Sequence, residues 1–96
     1  MEKSRKILIC GLGSIGSYYV RLILNKWPNS RISILRSGFG IPKKEELLVE
    51  NVFTENNKAI IWKPDFCIIA SPASIHLSQA LFFSRKGIPL LIEKPI

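Results

Sequence analysis

Histidine, cysteine and acidic residues are scarce in this 96-residue chain, which has one, two and seven of them. With a single histidine, and neither Cys10 nor Cys67 in a C-x-x-C pair or a Cys/His cluster, no group of residues has the spacing of a zinc site, and no metal is expected. Two cysteines are also too few for a disulfide scaffold. Buried free thiols in a reducing cytoplasm are the expectation. No apolar run reaches the ~18 residues that cross a bilayer. The start, Met1-Glu2-Lys3-Ser4-Arg5-Lys6, leads into only Ile7 to Cys10 before Gly11, which reads as neither a signal peptide nor an anchor. Glycine and proline, at six each, are too few for a collagen-like or low-complexity chain. Repeats and linkers are absent too, so the length sets a limit of one domain, residues 1–96.

What is present is an apolar, basic chain. Hydrophobic residues make up 47%, enough for a core, and fourteen Lys plus Arg outweigh the acids to give a net charge of +7. Such a balance favours an anionic partner: a phosphorylated small molecule, a nucleic acid or an acidic surface. The cations are spread through the chain, at Lys3, Arg5, Lys6, Lys43, Lys44, Lys58, Lys63, Arg85 and Lys86, with no recognition-helix or RNA-sheet motif. A nucleic-acid-binding protein is therefore the lesser alternative.

Short continuous apolar runs alternate with helical spacing, the pattern of an α/β fold. Ile7 to Cys10 reads as a strand buried on both faces. Ser14 to Lys26 reads as a helix, its apolar residues Ile15, Tyr18, Tyr19, Leu22, Ile23 and Trp27 falling at helical spacing, stopped at Trp27-Pro28-Asn29. Arg31 to Leu35 is a second strand, and Ser37 to Gly40 the loop leaving it. A short polar helix is expected between Pro42 and Glu50 with Leu47 and Leu48 inward, then a weak strand at Val52 to Thr54 and a helical turn from Asn57 to Trp62. Phe66 to Ala70 is a strong buried strand, Ile75 to Lys86 a helix stopped by Gly87, and Ile88 to Ile92 the last strand. The aromatic pairs Tyr18-Tyr19 and Phe82-Phe83 read as packing residues.

Chemistry concentrates at Gly11-Leu12-Gly13-Ser14-Ile15-Gly16, directly after a strand and directly before an amphipathic helix. In G-x-G-x-x-G the first Gly permits a tight bend, the second lets a pyrophosphate approach the backbone, and the third lets helix pack on strand. The phosphates then lie at the helix N-terminus. A turn that only joins strand to helix is the plainer alternative, and the strand–turn–helix context favours the dinucleotide. The fingerprint expects an acid at the end of the second strand to accept from the adenosine ribose, but Arg36 and Ser37 stand there. A guanidinium cannot accept that hydrogen bond, but it pairs well with a 2′-phosphate, which favours NADP(H) over NAD(H). The alternative is a solvated strand-end charge, with the ribose held by backbone groups.

A second stretch, Ala70-Ser71-Pro72-Ala73-Ser74-Ile75-His76, leaves the fourth strand toward the same switch point and is expected to line the cofactor. His76 reads more simply as a helix-start residue with a structural hydrogen bond. The chain closes on Glu93-Lys94-Pro95, where a strand end followed by a rigid turn can present an ammonium to a ligand.

Together, G-L-G-S-I-G, P-D-F-C-I-I-A-S-P-A-S-I-H and G-I-P-L-L-I-E-K-P resemble the amino-terminal half of the Gfo/Idh/MocA oxidoreductases, over nearly the whole chain. The resemblance implies a Rossmann-like doubly wound parallel sheet of about five strands in the order 3-2-1-4-5, serving hydride transfer to or from a sugar or related alcohol or carbonyl. It also implies residue roles. Gly11, Gly13, Ser14, Ile15 and Gly16 would cradle the pyrophosphate, Arg36 and Ser37 would meet the ribose, and Ser71, Pro72 and His76 would line the nicotinamide side. Lys94 would polarise the substrate oxygen in a supporting catalytic role, braced by Glu93. Ala73 departs from the Asn of many relatives. The family chains are several times longer, so the closing sixth strand, the substrate domain and the acid–base residues are expected to be missing. The chain alone is then expected to be catalytically incompetent, the nucleotide-binding portion of a truncated enzyme, with an exposed sheet edge at Ile88 to Ile92 that invites self-association. A non-catalytic NAD(P)-sensing module is the other reading.

Overall fold

The most apolar runs of the sequence form the centre of a sheet. A computed structural model of the chain describes residues 5–11, 13–36, 44–71 and 73–93, leaving aside the side chains at 73, 74 and 76. Among the described residues five strands, β1 (Lys6–Cys10), β2 (Arg31–Leu35), β3 (Asn51–Phe53), β4 (Phe66–Ile69) and β5 (Leu90–Ile92), pair in parallel in the order β3-β2-β1-β4-β5. They alternate with α1 (Ser14–Lys26), a 3-10 helix (Lys44–Leu48), α2 (Asn56–Ile61) and α3 (Ala73–Arg85). The order is the doubly wound one expected of the sequence.

Side chains alternate across the pleat, and each face has its own helices. Ile7, Ile9, Ile32, Ile34 and Ile68 meet Val20 and Ile23 of α1 on one face. Leu8, Cys10, Leu35, Cys67 and Ile69 meet Ala59 of α2 and Ala80 and Phe83 of α3 on the other. A fully buried Leu, Ile or Phe contributes about 1.5–3 kcal/mol. The centre of the sheet therefore dominates stability, whereas β5, with Leu91 and Ile92 41% and 50% exposed, adds less.

Element ends follow from local chemistry. Proline at 28 cannot continue α1 and restricts Trp27; the Trp27 N–H makes the last helical bond, to the Ile23 carbonyl at 2.7 Å. At the end of α3 the Ile88 N–H reaches the Phe83 carbonyl and the Gly87 N–H the Ser84 carbonyl, a Schellman closure. An exposed pair in which Arg31 Nε donates to Glu50 at 2.8 Å ties the start of β2 to the approach to β3. The Arg31 partner holds the Glu50 carboxyl below its usual range.

Two expectations about packing are corrected. The buried side of α1 is Gly16, Ser17, Val20 and Ile23, while Tyr18 and Trp27 are exposed. Small residues lie inward because the helix approaches the sheet closely at its first turn. In the 3-10 helix Leu47 and Leu48 are 88% and 54% exposed, and Glu45 is buried instead. Here ion pairing decides the orientation. Glu45 lies 3.9 Å from Arg21, and the adjacent Glu46 pairs with Arg36. The Ser37 to Gly40 loop and the expected helix start at Pro42 lie outside the described residues.

Cys10 and Cys67 are free and fully buried, their sulfurs 3.5 Å apart across neighbouring strands. The hydrogen bond with Cys67, then burial, pushes the Cys10 thiol up, so it stays protonated at neutral pH and packs as a small apolar group.

Candidate functional site

Backbone hydrogen bonds join the carboxyl ends of the strands into one edge. Arg36 N–H donates to the Phe53 carbonyl at 2.9 Å, Gly11 N–H to Leu35 at 2.7 Å, Ala70 N–H to Cys10 at 2.9 Å and Glu93 N–H to Ile69 at 3.0 Å. Four of the expected site segments, around Gly11, Arg36, Ser71 and Glu93, are thereby side by side. The glycine turn is central, at the point where β1 separates β2 from β4 and the strand order reverses, which is where ligands bind in open α/β sheets.

The three glycines of the turn differ in what surrounds them. Gly11 has φ +94°, and a Cβ there would lie 2.7 Å from Ser71 Cα and 2.9 Å from the Ala70 carbonyl oxygen. A Cβ on Gly16 would lie 2.3 Å from the Gly11 carbonyl oxygen. Gly13 is the opposite case: among the described residues, a Cβ there would meet nothing within 4 Å. Gly11 and Gly16 are small because protein abuts them, and Gly13 borders open space.

That space lies at the start of α1. Gly13 is the N-cap, so no side chain caps the helix, and the first turn holds no acidic residue. The N–H groups of Ser14, Ile15 and Gly16 have no intrahelical acceptor, and the helix dipole adds partial positive charge. The first intrahelical bond is from Ser17 N–H to the Gly13 carbonyl at 2.9 Å. An uncapped 13-residue helix opening beside a bare glycine is a fitting receptor for a pyrophosphate.

Around this turn the other expected residues have definite partners. Arg36 Nη1 donates to both carboxylate oxygens of Glu46, at 3.2 and 3.1 Å, with the two side chains only 15% and 14% exposed. Ser71 is buried, its backbone against Gly11 and its hydroxyl donating to Gln79 Oε1. Glu93 accepts a hydrogen bond from the Tyr19 hydroxyl of α1. Tyr19, read as a packing residue, thus also tethers the end of β5 to the helix of the glycine turn. Ser37, Pro72 and Lys94 lie outside the described residues, as does the His76 side chain. Sequence reasoning missed Glu46 and Tyr19. Their partners are 10 and 74 residues away, and no local pattern signals such pairs.

An open groove of about 520 Å³ lined by Asn56, Ser78, Leu81, Phe82, Arg85 and Lys86 involves none of these residues. The groove and the strand-end edge are thus separate places on the molecule. Among the described residues there is no cluster of metal-ligating side chains, and no helix is long and apolar enough to cross a membrane.

Known proteins share this fold. The family model described as the Gfo/Idh/MocA oxidoreductase family, NAD-binding Rossmann fold, matches residues 5–96. No curated protein matches. Among solved structures, a Rex-family repressor, RSP, superposes with a TM-score of 0.73 at 22% identity, covering 98% of this chain and 47% of its own. Malate dehydrogenase of Cryptosporidium parvum superposes with a TM-score of 0.51 at 21% identity, covering 88% of this chain and 32% of its own. At these identities the likeness is one of fold. This chain spans about half the length of the first structure and a third of the second.

Proposed function

The chain belongs to the Gfo/Idh/MocA oxidoreductase family, with a nicotinamide dinucleotide as its cofactor, and from that premise we propose that residues 1–96 are the cofactor-holding unit of an enzyme that moves hydride to or from a sugar or related alcohol or carbonyl. One observation carries this reading: open space at Gly13 beside the uncapped start of α1, at the strand-order switch point. The N–H groups of Ser14, Ile15 and Gly16 bind the pyrophosphate, Gly11 and Gly16 hold the turn tight against β4 and α1, and Ser71 walls the neighbouring strand end. Arg36 and Ser37 take the adenosine ribose, with NADP(H) preferred through the Arg36 guanidinium. Pro72, His76 and Glu93 border the nicotinamide half, and Lys94 places an ammonium at the substrate oxygen. A bound nicotinamide supplies or accepts the hydride. The acid–base groups belong, in this reading, to a substrate domain of the kind that the family resemblance implies.

Thermal unfolding with each dinucleotide tests the reading. A ligand at a hundred times its Kd adds about 2.7 kcal/mol, and in a domain of this size each kcal/mol moves the midpoint by roughly 4–8 °C. The midpoint is expected to rise with both NADPH and NADH, and more with NADPH. A midpoint that ignores both sinks the dinucleotide assignment.

The fold match to a repressor supports a second reading, a module that binds the dinucleotide and acts on a partner chain without catalysis, because one fold hosts many functions. Hydride transfer from a sugar alcohol to the oxidised dinucleotide, or from the reduced dinucleotide to the matching carbonyl, by the chain together with a substrate domain separates the two. Self-association through β5 belongs to the same proposal, given the exposure of Leu91 and Ile92 at a sheet edge. Sedimentation over a dilution series is expected to show a concentration-dependent dimer, and an invariant monomer counts against it.

A further inference from the structure

Arg36 follows β2 directly, and Leu35 before it pairs in register with Cys10, the residue preceding Gly11. The guanidinium therefore lies one strand over from the glycine turn, where this fold meets the 2′ substituent of the adenosine ribose. It shares that place with a carboxylate. Glu46 arrives from the 3-10 helix, which packs on α1 and is held there by the buried Glu45 beside Arg21. Both Glu46 oxygens accept from Arg36 Nη1, and the pair is largely shielded from water. Two fixed elements thus place opposite charges at one ribose corner.

We propose that Glu46 is a specificity-determining residue that opposes Arg36 in the choice of dinucleotide, an inference that rests on the glycine turn being the dinucleotide site. A 2′-phosphate must share the guanidinium with a carboxylate already bound to it, and must bear that carboxylate's negative charge at close range. A ribose 2′-hydroxyl meets the reverse situation, because the carboxylate is the acidic acceptor that the fingerprint expects at the end of β2 and that Arg36 and Ser37 do not supply. Arg36 draws the site toward NADP(H) and Glu46 draws it toward NAD(H). The native chain accordingly binds both, with the phosphate preference reduced to a margin of less than about tenfold, equivalent to about 1.4 kcal/mol.

The test measures Kd for NADPH and NADH on the native chain, Glu46→Gln, Arg36→Gln and the double variant, by titration calorimetry at one ionic strength. Glu46→Gln is expected to raise the NADPH-to-NADH preference tenfold or more. Arg36→Gln is expected to reverse that preference, and the double variant to fall between Arg36→Gln and the native chain, because it lacks both the guanidinium that draws the phosphate and the carboxylate that repels it and accepts from the 2′-hydroxyl. The ratio is the informative quantity, since a purely structural disturbance weakens both ligands together. Should Glu46→Gln fail to fold, Glu46→Asp, which keeps the charge and withdraws it by one methylene, is expected to raise the ratio by a smaller amount. Binding of both dinucleotides with an unchanged ratio in the Glu46 variant overturns the role of Glu46 alone. Absence of binding in all four chains overturns the dinucleotide site and the inference with it.

Discussion

Gly16→Ala is expected to lower the unfolding midpoint by more than about 10 °C, although alanine is the better helix former. Propensity alone favours the substitution by about 0.8–1.0 kcal/mol within a helix. Against this stands the close approach of α1 to the end of β1, where the new methyl would lie 2.3 Å from the Gly11 carbonyl oxygen. That oxygen belongs to backbone with little room to retreat. Gly11 donates its N–H to Leu35 at 2.7 Å, and on its far side Ser71 Cα stands 2.7 Å from where a Cβ would sit. Overpacking a rigid site costs about 1–3 kcal/mol, and more when backbone must shift. Because the overlap is with backbone, the cost lies at the upper end of that range, about 3 kcal/mol, and outweighs propensity by a net of about 2 kcal/mol or more, on the order of 10 °C or more for a small domain. Circular dichroism melts of the native chain and the variant read this directly. An equal or higher midpoint in the variant would mean that the turn relaxes freely and that the third glycine is not a packing residue.

The same logic applies at Gly11, where two penalties act together. Its φ of +94° is one that side-chain-bearing residues rarely adopt, and the added methyl would strike the backbone of Ser71. Both glycines are thus required by the protein itself, with or without a ligand.

The division between what the sequence disclosed and what it did not follows the range of the forces. The Ser14 to Lys26 helix and the Arg31 to Leu35 strand were legible to the residue, because proline, glycine and continuous apolar runs act locally. Strand order was legible through the glycine turn, since a dinucleotide fingerprint implies the sheet that presents it. The orientation of the 3-10 helix was not legible. Polarity argues for Leu47 and Leu48 inward and the glutamates outward, whereas Glu45 and Glu46 turn in to meet Arg21 and Arg36. A charge becomes burial-compatible only when its partner is in place, and partners 24 and 10 residues away leave no periodic trace. Tyr19 packs against the core as its helical spacing implies, and its hydroxyl also reaches Glu93 across 74 residues of sequence. At the candidate site, the glycines were legible by spacing, while the charge arrangement at the ribose corner needed the fold.

Gly13→Asp is expected to separate folding from cofactor binding, raising the one while abolishing the other. Gly13 sits at the N-cap with extended backbone, φ −82° and ψ −161°, which aspartate adopts without strain. Its Cβ would meet nothing among the described residues within 4 Å. Aspartate is a stronger N-cap than glycine, by a few tenths of a kcal/mol, because its carboxylate accepts from the N–H groups of the first turn. The helix dipole adds roughly 0.3–1 kcal/mol for a negative charge there. The free chain is therefore expected to melt about 2–8 °C higher. The same carboxylate would occupy the anion site itself: it takes up the N–H donors of Ile15 and Gly16 and places its charge against the pyrophosphate. Two unit charges about 4 Å apart at a protein surface repel by about 4 kcal/mol, before salt screening. Even half of that, together with the lost donors, weakens both NADPH and NADH by at least about 100-fold. Gly13→Ala is the companion variant: its methyl meets nothing among the described residues, but alanine is the poorer N-cap, so it is expected to destabilise by roughly 0.5–1 kcal/mol while leaving the pyrophosphate site in place. A stabilised Gly13→Asp chain that still binds either dinucleotide within threefold of the native chain would place the pyrophosphate somewhere other than the start of α1. A stabilised chain that has lost both dinucleotides would show that glycine is kept at this position for the ligand alone.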